Sequence, residues 1–432
     1  MKNFFKNNWM VIVIFIFLIS IKFYFLQLTS AGNNYSKDVV YNNGDAGHYY
    51  TIAENIFKFH VYSDDNSANP NESATWRAPF WPFLLSLLFY FSKSPLTIII
   101  CKSLLEIGLI VLGLYFFKKK SGINNLVLCL FLVLFIEPQY LKYSVTFLSE
   151  SLTAVLIFLL AIFFIFQNDK KRYSILIPIL SAIIVLCHPV SFFFVITLFG
   201  IYLLLLLKSN FKVVLIHGLF FFLLVFSWPL RNFKTFNERF YLTASQGATF
   251  SKGWNEKVIS NFNNVDGDLA DESINLKYLN PSNSKQNNTV LENSKLYKEA
   301  TFKFIETLTF SQKLQIAFKK VKSNFIPYPE KPKSVFIEHI AILFRILYLF
   351  VFVQMTYRLV KGQINFNSQK GRALLVVFSI FIGQIVMSIY IYTGLRFNAI
   401  YGLTMLFAFL YLNSNFILDA IPFIKTKKIF NS

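Results

Sequence analysis

A carboxylate and a set of arginines are the residues of this sequence that could do chemistry together. Asp45 stands in Gly44-Asp45-Ala46-Gly47-His48-Tyr49, at the start of a segment whose apolar residues Tyr49, Ile52, Ala53 and Ile56 share one helical face. His48, Thr51, Glu54, Asn55 and Lys58 share the other face, so the spacing predicts an amphipathic helix lying in a membrane interface. Asp45 can cap such a helix by accepting from orphan amides and complementing the dipole. It can equally act as a general base toward an acceptor hydroxyl, because at an interface it reaches both water and a lipid headgroup. Positive charge toward a phosphate is offered by Arg396 and, more weakly, by Arg77, Arg231 and Lys234. His48 and Tyr49 are weaker candidates for contact with a polar ligand. The arginines have an ordinary reading too: Arg396 as a snorkelling residue at a span end, Arg77 as an interfacial anchor among Trp76, Phe80 and Trp81.

The elements that must position these residues are membrane helices. Hydrophobic residues make up 55% of the chain, 53 residues are Phe, and only 15% are charged, which excludes an ordinary soluble domain. Apolar runs at 9–28, 96–117, 145–166, 211–230, 335–357 and 373–392 are long enough to cross a hydrocarbon core. Unbroken runs of this length read as helices rather than barrel strands, since each backbone group in lipid must be bonded internally. A formal charge of +20 could suggest nucleic acid, but the Lys and Arg residues cluster at the ends of apolar runs and read as topology signals. No nucleic-acid partner is expected. Cys101, Cys129 and Cys187 fall in apolar stretches and imply neither a disulfide framework nor a metal site. The first run, preceded by Lys2 and Lys6, exceeds the h-region of a signal peptide and is expected to stay as an uncleaved first span.

Assigning the positive clusters to the cytoplasm puts the N-terminus inside and gives about ten spans. The expected fold is an all-α polytopic bundle, organised as a first span (1–30), an exterior loop with amphipathic surface helices (31–95), a transmembrane bundle (96–230), an exterior polar loop or small domain (231–335), and C-terminal spans with a cytoplasmic tail (336–432). Residues 80–117 hold two apolar runs around Ser92-Lys93-Ser94-Pro95 and are expected to cross once, with 79–91 a short helix at the outer surface and 96–117 the span; two crossings would invert every later loop. Apolar spacing in 296–321 predicts a surface helix within the second exterior region.

Asp45 with Tyr49 and Ala53-Glu54-Asn55, then Arg77-Ala78-Pro79-Phe80-Trp81-Pro82, resembles the first loop of the GT-C superfamily of glycosyltransferases, particularly bacterial relatives of protein O-mannosyltransferases and aminoarabinose transferases. Pro138 with Ser149-Glu150, Trp228-Pro229-Leu230-Arg231-Asn232, Thr243-Ala244-Ser245-Gln246-Gly247 with Gly253-Trp254-Asn255, and Thr393-Gly394-Leu395-Arg396-Phe397 also look like that family, in order along most of the chain. Ala78 departs from the pattern where a Pro is usual, and His188 stands before Pro189 where Lys or Arg is common. The resemblance implies a polyprenyl-phosphate-linked sugar donor, an inverting transfer with Asp45 as base, and an active site on the outer face of a bacterial cytoplasmic membrane.

Cofactors are unknown from the sequence: a divalent metal stays open, but His48, His60, His188 and His217 show no ligand spacing. Glu150 is buried by its sequence context and so a functional candidate, but the topology puts it near the outer surface, where it can be solvated, and it stays outside the catalytic set. The rival readings are a polysaccharide polymerase or ligase using polyprenyl-linked glycans and, from another class, a transporter or flippase. A transporter would carry charges near mid-membrane and repeated halves. The acceptor, whether protein, lipid or glycan, is not specified.

Overall fold

The computed structural model describes residues 2–30, 44–65, 67, 76–121, 128, 131–167, 175–207, 210–237, 242–260, 271–279, 290–325, 335–362, 365–391 and 395–414, and among these residues the chain is helical with no strand. α1 (Lys2–Ser30) is followed by α2 (Gly44–Phe59), the nine-residue α3 (Phe80–Leu88) and α4 (Pro95–Ser121). α5 (Pro138–Ser144), α6 (Glu150–Phe166), α7 (Leu176–Cys187), α8 (Phe192–Leu207) and α9 (Phe211–Phe236) come next. A lobe of α10 (Gln246–Gly253), α11 (Glu256–Ser260), α12 (Val290–Thr307) and α13 (Phe310–Phe325) precedes α14 (Val335–Val360), α15 (Gln369–Tyr390) and α16 (Leu395–Leu412).

Residue type sets the helix boundaries. α4 opens on Pro95, whose missing amide is tolerated at a first turn, and closes on Lys118, Lys119 and Lys120, which complement the C-terminal dipole. Asn210 caps α9 by accepting from Lys212 N and Val213 N, and Ser368 caps α15 by accepting from Gly371 N. Glu137 caps α5 in the same way, with Pro138 at the first position.

The bundle is layered around α6, all 17 of whose residues are buried. It packs on α4 and α16 and also touches α5, α7 and α15, while α8 lies along α15 and α9 along α7. Gly383 lets α15 approach α8 closely, since a Cβ there would stand 2.7 Å from the Phe194 backbone. α9 is peripheral, and Phe211, Leu215, Leu219 and Phe222 are 55–60% exposed along it. An apolar face of that size needs lipid around it.

The chain is therefore a helical membrane protein. Among the described residues, four stretches are long and apolar enough to cross a bilayer, namely Pro95–Ser121, Pro189–Leu207, Phe211–Phe236 and Gln369–Tyr390. Shorter apolar helices run over Ile12–Gln27, Glu150–Phe166, Leu176–Cys187, Ile346–Val360 and Ala399–Leu412. The expectation of about ten spans is thus met only in its coarse form. α3, at nine residues, is about 13.5 Å long and too short to cross a core of ~30 Å.

α2 differs from its expected amphipathic form. Thr51, Glu54 and Asn55, assigned to a wet face, are buried. The reason is the segment that follows: His60 adopts a left-handed conformation (φ 57°), turning the chain so that Asn55 Nδ2 donates to Ser63 O at 2.9 Å and Asp65 O at 2.8 Å. Glu54 pairs with Lys58 at 2.6 Å, so the polar face is satisfied by protein.

Candidate functional site

Asp45 lies in the first turn of α2, behind Gly44, whose φ of +37° suits glycine. Its Oδ1 accepts from an Arg77 Nη in an ion pair, and the same nitrogen lies 3.2 Å from His48 Nδ1. The Arg77 guanidinium also covers the Tyr49 ring at 5.2 Å. Four of the seven residues singled out in the sequence, Asp45, His48, Tyr49 and Arg77, therefore meet in one cluster. The Asp45 side chain keeps 36% of its surface exposed while that of Arg77 keeps 11%, so the acid is open and the base is held beneath it. Arg77 Nε is buried with no hydrogen-bond partner among the described residues, a donor to spare at the site. Desolvation, and then the Arg77 charge, hold the His48 imidazole below its ordinary range.

Arg231 joins from α9 through an aromatic bridge. Its guanidinium stacks on Trp228 at 4.8 Å and on Tyr62 at 5.4 Å, and Tyr62 Oη donates to Arg77 O at 3.1 Å. Burial raises the Tyr62 phenol well above its ordinary pKa, so it remains a neutral donor. Tyr62 had no sequence signal beyond its aromatic character. Arg396 lies in the first turn of α16, and its side chain is outside the described residues, as are Thr393 and Gly394. Its neighbour Phe397 is buried and packs edge-on against His188, with centroids 6.0 Å apart.

Between these two ends lies a pair from the bundle itself. Tyr49 Oη stands 3.4 Å from Ser149 Oγ, and the next residue, Glu150, opens α6 fully buried. Glu150 Oε1 is 3.6 Å from His188 Nε2, while His188 Nδ1 is buried without a hydrogen-bond partner among the described residues. The turn before Pro189 thus presents an imidazole facing a carboxylate.

Beside His188, a groove of about 610 Å³ runs between α8, α9 and α15. Its wall is apolar, with Phe192, Phe193, Phe221 and Val225, and its rim is polar, with Thr243, Ser245 and Gln246. Pro229 and Leu242 line it, and Leu242 O accepts from Trp228 Nε1 at 3.1 Å, so the Arg231 stack is tied to the groove through one hydrogen bond.

A second charged cluster had a signal that the apolar runs concealed. Lys22 of α1 and Lys102 and Glu106 of α4 are at most 2% exposed. Glu106 accepts from Lys22 and from Ser151 Oγ at 2.7 Å. Lys102 Nζ donates to the carbonyls of Tyr143, Thr146 and Leu148 at 2.7–3.1 Å. Phe147 O in the same turn accepts from Trp81 Nε1 at 2.7 Å. These charges fix the turn that leads into Ser149 and Glu150. A charged residue within an apolar run is the general mark of such a role.

Among the described residues, no group of three His, Cys, Asp or Glu side chains could hold a metal ion. Comparison with family models, curated proteins and solved structures gives no match for this chain.

Proposed function

We propose that the protein is a membrane glycosyltransferase of GT-C type that moves a sugar from a polyprenyl-phosphate donor to an acceptor hydroxyl at the outer face of a bacterial cytoplasmic membrane, within a bundle of about ten spans. The observation that carries this reading is the single cluster of Asp45, His48, Tyr49 and Arg77, joined through Tyr62 to Arg231, two residues from Pro229, which lines an apolar groove with a polar rim. An acid open to water, cations beneath it and an apolar slot alongside are what a polar acceptor, a phosphate and a lipid tail require. The motif resemblance supports the same class.

In this mechanism Asp45 takes the proton from the acceptor hydroxyl, the acceptor oxygen forms a bond to the anomeric carbon from the face opposite the phosphate, and the carbon–oxygen bond to phosphate breaks with its electron pair leaving on polyprenyl phosphate. Arg77 turns from Asp45 to the phosphate as the donor enters, which frees the carboxylate and uses the spare Nε donor. Arg231 and Arg396 add positive charge for the leaving group. Inversion follows from the single displacement.

The test is transfer by the reconstituted protein from synthetic polyprenyl-phosphate sugars. Asp45→Asn keeps the shape of the side chain and lacks a basic oxygen, so it is expected to insert normally and to transfer about 10²- to 10⁴-fold more slowly. Wild-type rates from that variant would falsify the role of Asp45. Transfer only from diphosphate-linked oligosaccharides would instead favour a polymerase or ligase.

A further inference from the structure

The α10–α13 lobe is pinned at one height against an apolar, membrane-crossing helix. Trp254 Nε1 and Lys320 Nζ both donate to Ile389 O, at 2.8 and 3.0 Å, and Lys320 lies over the Trp254 ring at 4.7 Å. Phe250 stacks on Tyr390 with centroids 5.7 Å apart, and Phe302 meets Phe250 at 5.2 Å. Ile389 and Tyr390 are the last two residues of α15, so these rings gather where a span ends, the level at which aromatics sit in a bilayer interface. α13 itself packs on α15, and nine residues after its end the chain begins the apolar helix α14.

At that level α13 turns an apolar stripe away from the protein. Its inward face carries Ile316, Lys319 and Lys320, all buried. On the opposite face Phe310, Leu314 and Phe318 recur at four-residue spacing and are 75%, 55% and 68% exposed. These values match or exceed those along α9, whose exposed face is the lipid-facing kind. Of the four lysines of α13, Lys319 and Lys320 serve the protein interior while Lys313 and Lys322 stay outside that buried face, and the helix has no acidic residue, which suits an anionic headgroup layer.

We propose that α13 lies in the bilayer interface on the side of the lobe, with Phe310, Leu314 and Phe318 among the upper acyl chains and Lys313 and Lys322 at headgroup level. The lobe, and with it the groove rim that α10 supplies through Gln246 and Thr249, then rests on the lipid surface instead of standing in water. The lipid is favoured as occupant over a protein because the stripe is continuous in level with a span end and because its flanks are basic. This inference stands on the contacts of the lobe with α15 and on the exposed face of α13, and is independent of any transfer chemistry.

The experiment places single spin labels at Leu314→Cys and Phe318→Cys, with Glu299→Cys on the exposed side of α12 as the aqueous reference. The background has its native cysteines replaced, and the full chain is reconstituted in vesicles of phosphatidylethanolamine and phosphatidylglycerol. Power saturation with oxygen and with a water-soluble nickel chelate reads the depth of each label. Labels at 314 and 318 are expected about 5–10 Å below the headgroup level, oxygen-accessible and shielded from nickel, while the label at 299 collides freely with nickel. Nickel access at 314 and 318 equal to that at 299 would overturn the proposal. So would labels shielded from both reagents, or labels broadened by a neighbouring copy, since either means that protein covers the stripe.

Discussion

Arg77 is asked to do two things at once, because the same Nη that pairs with Asp45 also faces His48 Nδ1. Desolvation against the protein opposes a proton on the surface residue His48, and such a proton would also bring a second cation against the guanidinium. The His48 titration, followed by NMR on a labelled ring, is therefore expected to have its midpoint below the ordinary value of 6.5. In Arg77→Gln the midpoint should move upward toward that value, since the second of the two lowering causes is gone while desolvation remains. A midpoint unmoved by that substitution would mean that desolvation alone sets it. The acid and the cations at this scale were legible in the sequence, because Asp45, His48, Tyr49 and Arg77 are polar or aromatic types beside an expected helix start. Their mutual contact was not, since nothing in the spacing of 45 and 77 says that a guanidinium will fold beneath a carboxylate 32 residues earlier.

Charged side chains inside apolar helices have to be paired, and α1 and α4 are joined in this way by Lys22 and Glu106. Removing one partner leaves the other charged and buried, at a cost of about 3–5 kcal/mol. Glu106→Gln should therefore lower the thermal unfolding midpoint in detergent strongly, whereas Lys22→Met combined with Glu106→Met should recover most of the loss. Equal losses in the two variants would show that the ion pair is not what matters at this contact. Long apolar runs reveal that helices exist and roughly where they lie, and α4, α9 and α15 fall close to the expected 96–117, 211–230 and 373–392. The same averaging over a run hides single charges such as Lys22, Lys102 and Glu106, although they determine which helices become neighbours. Periodicity misjudged α2 for a related reason: it records residue type, and the polar face of α2 is covered by the chain that His60 turns back upon it.

Taken over the whole molecule, the proposed orientation makes residues 118–120 and 368–370 share one side of the membrane and residue 283 the other. Epitope tags at Lys119 and Ser368 are expected to react only after the cytoplasmic side is opened, and a tag at Asn283 in intact cells. A tag at Asn283 that is silent until permeabilisation would reverse the orientation and move the Asp45 cluster to the cytoplasmic face. The number of spans was the least legible property, because helices such as α6 and α7 are shorter than a full crossing while others exceed it. The complete burial of α6 also bears on how the chain assembles. A helix enclosed by α4, made before it, and α15 and α16, made much later, has no permanent lipid neighbours, so acyl chains must occupy its flank during synthesis and then be displaced. Closure of the bundle is in this sense the exchange of a lipid annulus for α16, and the centre of the molecule is the last part to become dry of lipid.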